Sequence, residues 1–167
     1  MRTLAFVSQK GGSGKSTIAS SVAVAAHQTN EKVCVIDMDP QGSLMNWARI
    51  RAAGDIEVLA SGAARLPALL ATLERRGVTL ALLDSPGAEG AASSAAMRVA
   101  DLNIVPSRPS LFDLWASARA RAALEEIGAK FVFVLNQCPP TQTARVQDGV
   151  EALEEMGRLI SPLILAR

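Results

Sequence analysis

The stretch "SQKGGSGKST", Ser8 to Thr17, decides the fold. Gly14-Lys15-Ser16 fits the end of the pattern GxxxxGK[ST]. Such a loop turns backbone N–H groups toward phosphates, adds the dipole of the helix that follows, and offers a lysine to the terminal phosphates and a hydroxyl to magnesium. The pattern's first glycine falls at position 9, where this chain has Gln9 and then Lys10-Gly11-Gly12. The loop therefore carries two lysines where phosphate binding needs one. Lys15 stands in the usual place, and Lys10 stands upstream of the glycines. An apolar run precedes the loop and an Ala/Ser/Val-rich run follows it, so a turn that merely connects strand to helix is the weaker reading.

Outward from the loop, apolar runs alternate with helix-like segments. Strands are predicted at Thr3–Ser8, Val33–Asp37, Ile56–Ala60, Thr79–Asp84, Leu102–Pro106, Phe131–Asn136 and Leu159–Leu165. Several are apolar without alternation, as in strands covered on both faces. Helices are predicted at Lys15–Thr29, Leu66–Arg76, Leu111–Ile127 and Thr143–Met156. Pro67 suits a first helical turn, Ser110 and Asp113 have capping-box spacing, and Gly157 is a stop. The alternation predicts an α/β fold, a mostly parallel β-sheet with helices on both faces, in one domain spanning residues 1–167.

The composition agrees. The chain has 167 residues, 49% hydrophobic and 20% charged, which suits one soluble core. A net charge of +1 excludes a uniformly basic nucleic-acid binder but not a local basic patch. Cys34 and Cys138 lack metal or disulfide spacing and read as small apolar residues of a reducing compartment. No stretch approaches the ~20 apolar residues of a membrane span, and nothing reads as a signal peptide. The expected location is the cytoplasm.

Carboxylates end two of the strands. "VIDMDPQG" places Asp37 and Asp39 just past the second strand, and "LALLDSPG" ends the fourth with Asp84. Ligands of open parallel sheets bind at the strands' carboxyl ends, where carboxylates suit magnesium and the orientation of water. By itself, "DPQG" reads better as an Asp-Pro turn. "FVFVLNQC" ends a strand with Asn136, which is either a turn residue before Pro139 or an amide able to pair with a base edge.

Taken together, "KGGSGKS", "DMDPQG", "DSPG" and Asn136 resemble, in the correct order, the ParA/MinD family of deviant Walker A P-loop ATPases, closest to the short ParA-type partition ATPases. The likeness runs from Thr3 to about Asn136. It implies that ATP lies on Lys10, Gly11, Gly12, Ser13, Gly14, Lys15, Ser16 and Thr17, with Gly87 near the γ-phosphate and Asn136 on the adenine edge. It implies Mg2+ held by Ser16, Asp37, Asp39 and Asp84. Lys10, Lys15 and Asp39 become the catalytic residues, Asp39 orienting the hydrolytic water. Lys10 answers to the family's signature lysine, which crosses a dimer interface to the partner's nucleotide. The implied activity is weak magnesium-dependent ATP hydrolysis by an ATP-sandwich homodimer, stimulated by a partner protein.

The resemblance further implies non-specific DNA binding, association with the nucleoid when ATP is bound, and segregation or positioning of a plasmid, chromosome or cytoplasmic cluster. Arg49, Arg51, Arg65, Arg75 and Arg76, against Asp55, Glu57 and Glu74, make residues 41–76 net +2, and Arg119 and Arg121 add basic character to a helix. Each Arg singly reads better as a solvated surface residue. Family members usually continue past the last strand with further helices, and this chain ends at "SPLILAR" without the amphipathic membrane helix of the MinD branch, so no membrane cycle is expected. The alternatives are a protein-only positioning switch or regulator without DNA binding, an iron-protein-type metallocluster ATPase, for which the cysteines are poorly placed, and a metabolic ligase, for which no second substrate motif is seen.

Overall fold

The computed structural model describes residues 1–141 and 143–166. Six strands form one parallel sheet: β1 (Arg2–Phe6), β2 (Val33–Asp37), β3 (Glu57–Ala60), β4 (Leu80–Asp84), β5 (Leu102–Ser107) and β6 (Phe131–Leu135). Their order across the sheet is β3-β2-β4-β1-β5-β6. Every residue of β2 and β4 is buried, which is why these strands lack alternation.

Helices cover both faces. α1 (Lys15–Gln28) and α2 (Ser43–Arg51) close one side, and α3 (Leu66–Arg75), α4 (Ala91–Val99), α5 (Leu111–Glu126) and α6 (Ala144–Met156) close the other. The strands' period of two divides the core. Cys34, Ile36 and Leu83 face α3–α6, whereas Val33, Val35 and Leu82 face α1 and α2. Leu73, Leu124 and Leu153 are fully buried, each contributing about 1.5–3 kcal/mol by leaving water. The Ser110 hydroxyl caps α5 by accepting from Asp113 N at 3.3 Å, and Thr143 caps α6 through Val146 N.

Three features differ from the sequence reading. α2 was not foreseen because it is short and buries only Leu44, with Ile50 and Met45 exposed, so no apolar stripe marks it. α4 was not foreseen because "AASSAAMRV" is built of small residues that give weak periodicity. The segment Leu159–Leu165 is not a strand of the sheet. It runs beside β6 in fragments: Phe133 N donates to Arg158 O, Ile160 N to Phe133 O, and Ile164 N to Leu135 O. Pro162, which has no N–H, lies between the two bonded stretches and breaks the ladder.

Candidate functional site: a phosphate loop with two lysines

Chain order reverses at β1, which lies between β4 and β5. This switch point is where an open parallel sheet opens its crevice. Register adds to it: Asp84 is level with Phe6 on one side and with Asp37 on the other, so the phosphate loop starts beside two carboxylates. A groove of 660 Å3 forms here, lined by Gly11, Gly12, Gly14, Lys15, Ser16 and Thr17 with Asp39, Gln41, Ser43, Pro86, Gly87, Ala88 and Gln137. That volume suits a small-molecule site.

The loop depends on two glycines. Gly12 (φ 78) and Gly14 (φ 98) are left-handed, where a Cβ is disfavoured. Gly14 begins α1 with no side-chain cap, so the first-turn N–H groups have no side-chain acceptor among the described residues. Lys15, 7% exposed, makes no carboxylate ion pair among those residues, and its Nζ reaches only the Lys10 carbonyl, at 3.4 Å. Burial lowers its pKa, with the nearby Asp84 and Asp39 charges opposing. A buried cation with so little compensation fits an anion brought from outside.

Asp84 is wholly buried. Its Oδ2 accepts from Ser16 Oγ at 2.5 Å, and its Oδ1 has no hydrogen-bond partner among the described residues. Burial pushes its pKa up to about 6, Asp37 and Asp39 add to the rise, and the Ser16 hydroxyl and Lys15 oppose it. An orphaned carboxylate oxygen beside a hydroxyl is a hard-oxygen pair that a divalent cation satisfies. Among the described residues no group of three or more His, Cys, Asp or Glu converges as a metal site. Magnesium takes few protein ligands and keeps phosphate oxygens and water, so Ser16 and Asp84 are the pair that would hold it.

Asp37 and Asp39 differ from each other. Both oxygens of Asp37 are committed to backbone: Oδ1 accepts from Asp39 N at 3.1 Å, and Oδ2 from Leu44 N at 2.9 Å and Met45 N at 3.0 Å. Asp37 thus anchors α2 and the turn that carries Asp39. Asp39 is half-buried in the groove lining, and its Oδ1 accepts from Gln41 N at 2.9 Å. Gly87 packs on the loop itself, since a Cβ there would stand 3.0 Å from Gly11 N.

Lys10 points elsewhere. Its Nζ binds Asp113 Oδ2 of its own chain at 2.8 Å and sits 5.7 Å above the Phe112 ring. Asp113, 2% exposed, also accepts from Arg108 Nε at 3.0 Å and Nη2 at 3.2 Å, and from the Ser110 hydroxyl. Burial raises its pKa, but the hydrogen bonds from Arg108, Lys10 and Ser110 outweigh this and hold it below the usual carboxylate range. Asn136 is buried at the loop, where its Nδ2 donates to Ser13 O at 2.9 Å. One of the two N–H donors of its amide is thereby used. Sequence reading missed Arg108 and Gln137 and took Asp113 only as a cap. The first two lie just past the carboxyl ends of β5 and β6, the one signal that marks them.

The arginines do not form one patch. Arg49 and Arg51 lie on α2, whereas α3 and α5, which hold Arg75, Arg119 and Arg121, cover the opposite face. Arg51 pairs with Asp55, Arg76 with Glu57, Arg119 with Glu89 and Arg121 with Glu125. The cysteines are both buried, Cys34 in β2 and Cys138 after β6, toward opposite edges of the sheet, and burial pushes the Cys34 thiol up to about 12. Among the described residues no helix is long and apolar enough to cross a membrane.

Comparison with known proteins agrees with this geometry. The chain is 33% identical over 160 residues to the maintenance of carboxysome distribution protein A of Gloeobacter kilaueensis, covering 93% of this chain and 72% of that protein. It is 27% identical over 158 residues to the chromosome-partitioning ATPase Soj of Thermus thermophilus, covering 77% and 64%. An ATP complex of a Cyanothece McdA variant superposes with a TM-score of 0.84 at 21% identity, covering 100% and 84%, which shows the shared fold. The profile of the CobQ/CobB/MinD/ParA nucleotide binding domain matches residues 4–165. With its phosphate loop, buried carboxylate and parallel sheet in that order, the chain belongs to the CobQ/CobB/MinD/ParA nucleotide-binding family and is an ATPase domain of the ParA/MinD type.

Proposed function

We propose that this chain is a dimerising, magnesium-dependent ATPase that positions or segregates a cytoplasmic cargo, binds DNA without sequence preference when ATP is bound, and hydrolyses ATP slowly until a partner protein stimulates it. The observation that carries this reading is the second lysine. Among the described residues Lys15 is the one cation that lines the groove, while the Lys10 ammonium lies outside it on Asp113. A cation kept outside its own site is available to another copy's nucleotide. The names of the relatives, carboxysome distribution and chromosome partitioning, give the range of cargo.

In this reading the loop N–H groups and Lys15 hold the triphosphate. Ser16 and Asp84 hold magnesium, with Asp39 beside them, and Asp37 keeps Asp39 in place. The metal, when bound, neutralises charge on the phosphate oxygens. Asp39 orients the attacking water from the groove wall. Asp39→Ala is therefore expected to bind ATP and magnesium within a few-fold of wild type, to turn over about a hundredfold more slowly, and to accumulate as dimer. Single-turnover hydrolysis alongside sedimentation checks this, and unchanged turnover would remove Asp39 from the role.

One observation favours a second reading, positioning through protein contacts alone. The arginines are divided between two faces, and four of them are paired with carboxylates. Retention on duplex DNA decides between the two. With ATP and magnesium, wild-type protein should bind any duplex at low salt and release it as salt rises. No binding at low salt leaves the protein-only reading.

A further inference from the structure

Asn136 and Gln137 follow β6, and both side chains turn back to the loop after β1. Asn136 Nδ2 donates to Ser13 O at 2.9 Å, and Gln137 Nε2 reaches Gly12 O at 3.4 Å. The fit is close, since a Cβ at position 14 would stand 2.1 Å from Asn136 Nδ2. Asn136 is itself pinned, its backbone N–H donating to Ser107 O at 2.7 Å. Gln137 adopts φ 55, the left-handed region that disfavours a residue with a Cβ. Two consecutive carboxamides thus hold two consecutive carbonyls of the phosphate loop.

In a trans peptide, the C=O of one residue and the N–H of the next point in opposite directions. Fixing Ser13 O on Asn136 therefore turns the Gly14 N–H away from β6. Fixing Gly12 O on Gln137 does the same for the Ser13 N–H. The loop needs this control, because glycine-rich backbone reorients readily. A flipped peptide would present a carbonyl oxygen, not an N–H, to a phosphate. Gly12, Gly14 and Gln137 line the groove and Asn136 does not, so Asn136 acts from behind the loop and Gln137 from its rim.

We propose that Asn136, seconded by Gln137, is a positioning residue of the phosphate loop. The pair holds carbonyl dipoles off the triphosphate and aims the Ser13 and Gly14 N–H groups at it, whatever base the nucleotide carries. This rests on the phosphate-loop reading above and is separate from the base-reading role that the sequence gives Asn136, which predicts an effect on ATP alone.

The experiment measures affinities of wild type, Asn136→Ala and Gln137→Met for ATP, GTP and inorganic tripolyphosphate with magnesium. It also follows the Gly14 backbone amide resonance as tripolyphosphate is added. Asn136→Ala should weaken all three ligands by one common factor, about tenfold, and should blunt the ligand-induced shift of the Gly14 amide. Gln137→Met alters an exposed side chain and its longer bond, so a common loss of about two- to threefold is expected; it carries the test if Asn136→Ala does not fold. A loss confined to ATP would overturn the clamp in favour of a base contact. Unchanged affinities, or an unchanged Gly14 shift, would overturn it as well. Wild-type protein that binds neither ATP nor tripolyphosphate would instead bring down the phosphate-loop reading beneath it.

Discussion

Lys15→Gln is expected to lose ATP binding while keeping its fold. Lys15 is the cation of the groove, buried, without a carboxylate ion pair among the described residues, and touching only the Lys10 carbonyl. Its burial is already felt, since the pKa is lowered chiefly by loss of water. Removing one partner of a buried charge pair costs about 2–5 kcal/mol, or roughly thirtyfold to several thousandfold in affinity. The same change deletes a desolvated charge from the nucleotide-free protein, so its melting temperature should hold or rise. Calorimetric titration with ATP, read together with thermal melting of the free protein, checks both halves. An affinity within threefold of wild type sinks the assignment of Lys15.

Lys10→Ala is expected to spare nucleotide binding and abolish dimerisation. In the single chain Lys10 Nζ lies on Asp113, so its removal takes no cation from the groove, and ATP affinity of the monomer should stay within threefold. Across a twofold interface, each charge-assisted contact contributes about 1.5–3 kcal/mol, and symmetry supplies it twice. Against this stands the Lys10–Asp113 pair that each chain must first release, with Asp113 buried and Lys10 about a third exposed, so the net effect is smaller than the gross one. The balance is a weakening of dimerisation by roughly one to four orders of magnitude. Asp113 is not stranded by the release, because Arg108 and Ser110 remain on it. Sedimentation with a non-hydrolysable ATP analogue decides the matter. A mutant that still dimerises refutes the crossing, and a mutant monomer that fails to bind ATP places Lys10 in its own site.

The fold was legible wherever burial wrote itself into composition. "VCVID" and "LALLD" are buried along their whole length and could only be central strands. The phosphate loop was legible because backbone geometry demands glycine at positions 12 and 14 and chemistry demands lysine at 15. What stayed hidden was decided by tertiary contact. Whether Asp37 meets solvent, metal or backbone depends on α2, a helix with a single buried residue and thus no stripe to announce it. Asn136 stood out by its place at a strand end, but only the fold shows that its amide faces Ser13. The partner of Lys10 lies 103 residues downstream, and no local pattern links them.

The broken segment beside β6 has a consequence for association. A parallel sheet open at both ends offers unpaired N–H and C=O groups to any other extended chain. At one end β3 is only four residues long, too brief a template for continuous pairing. At the other, residues 158–166 occupy the outer groups of β6 in two short runs, and Pro162 leaves their own outer side without an unbroken row of donors. Both edges are thereby poor templates for lateral growth. In the proposed dimer, strand-to-strand stacking is disfavoured, which leaves the helix and loop surfaces around the groove for the contact between copies.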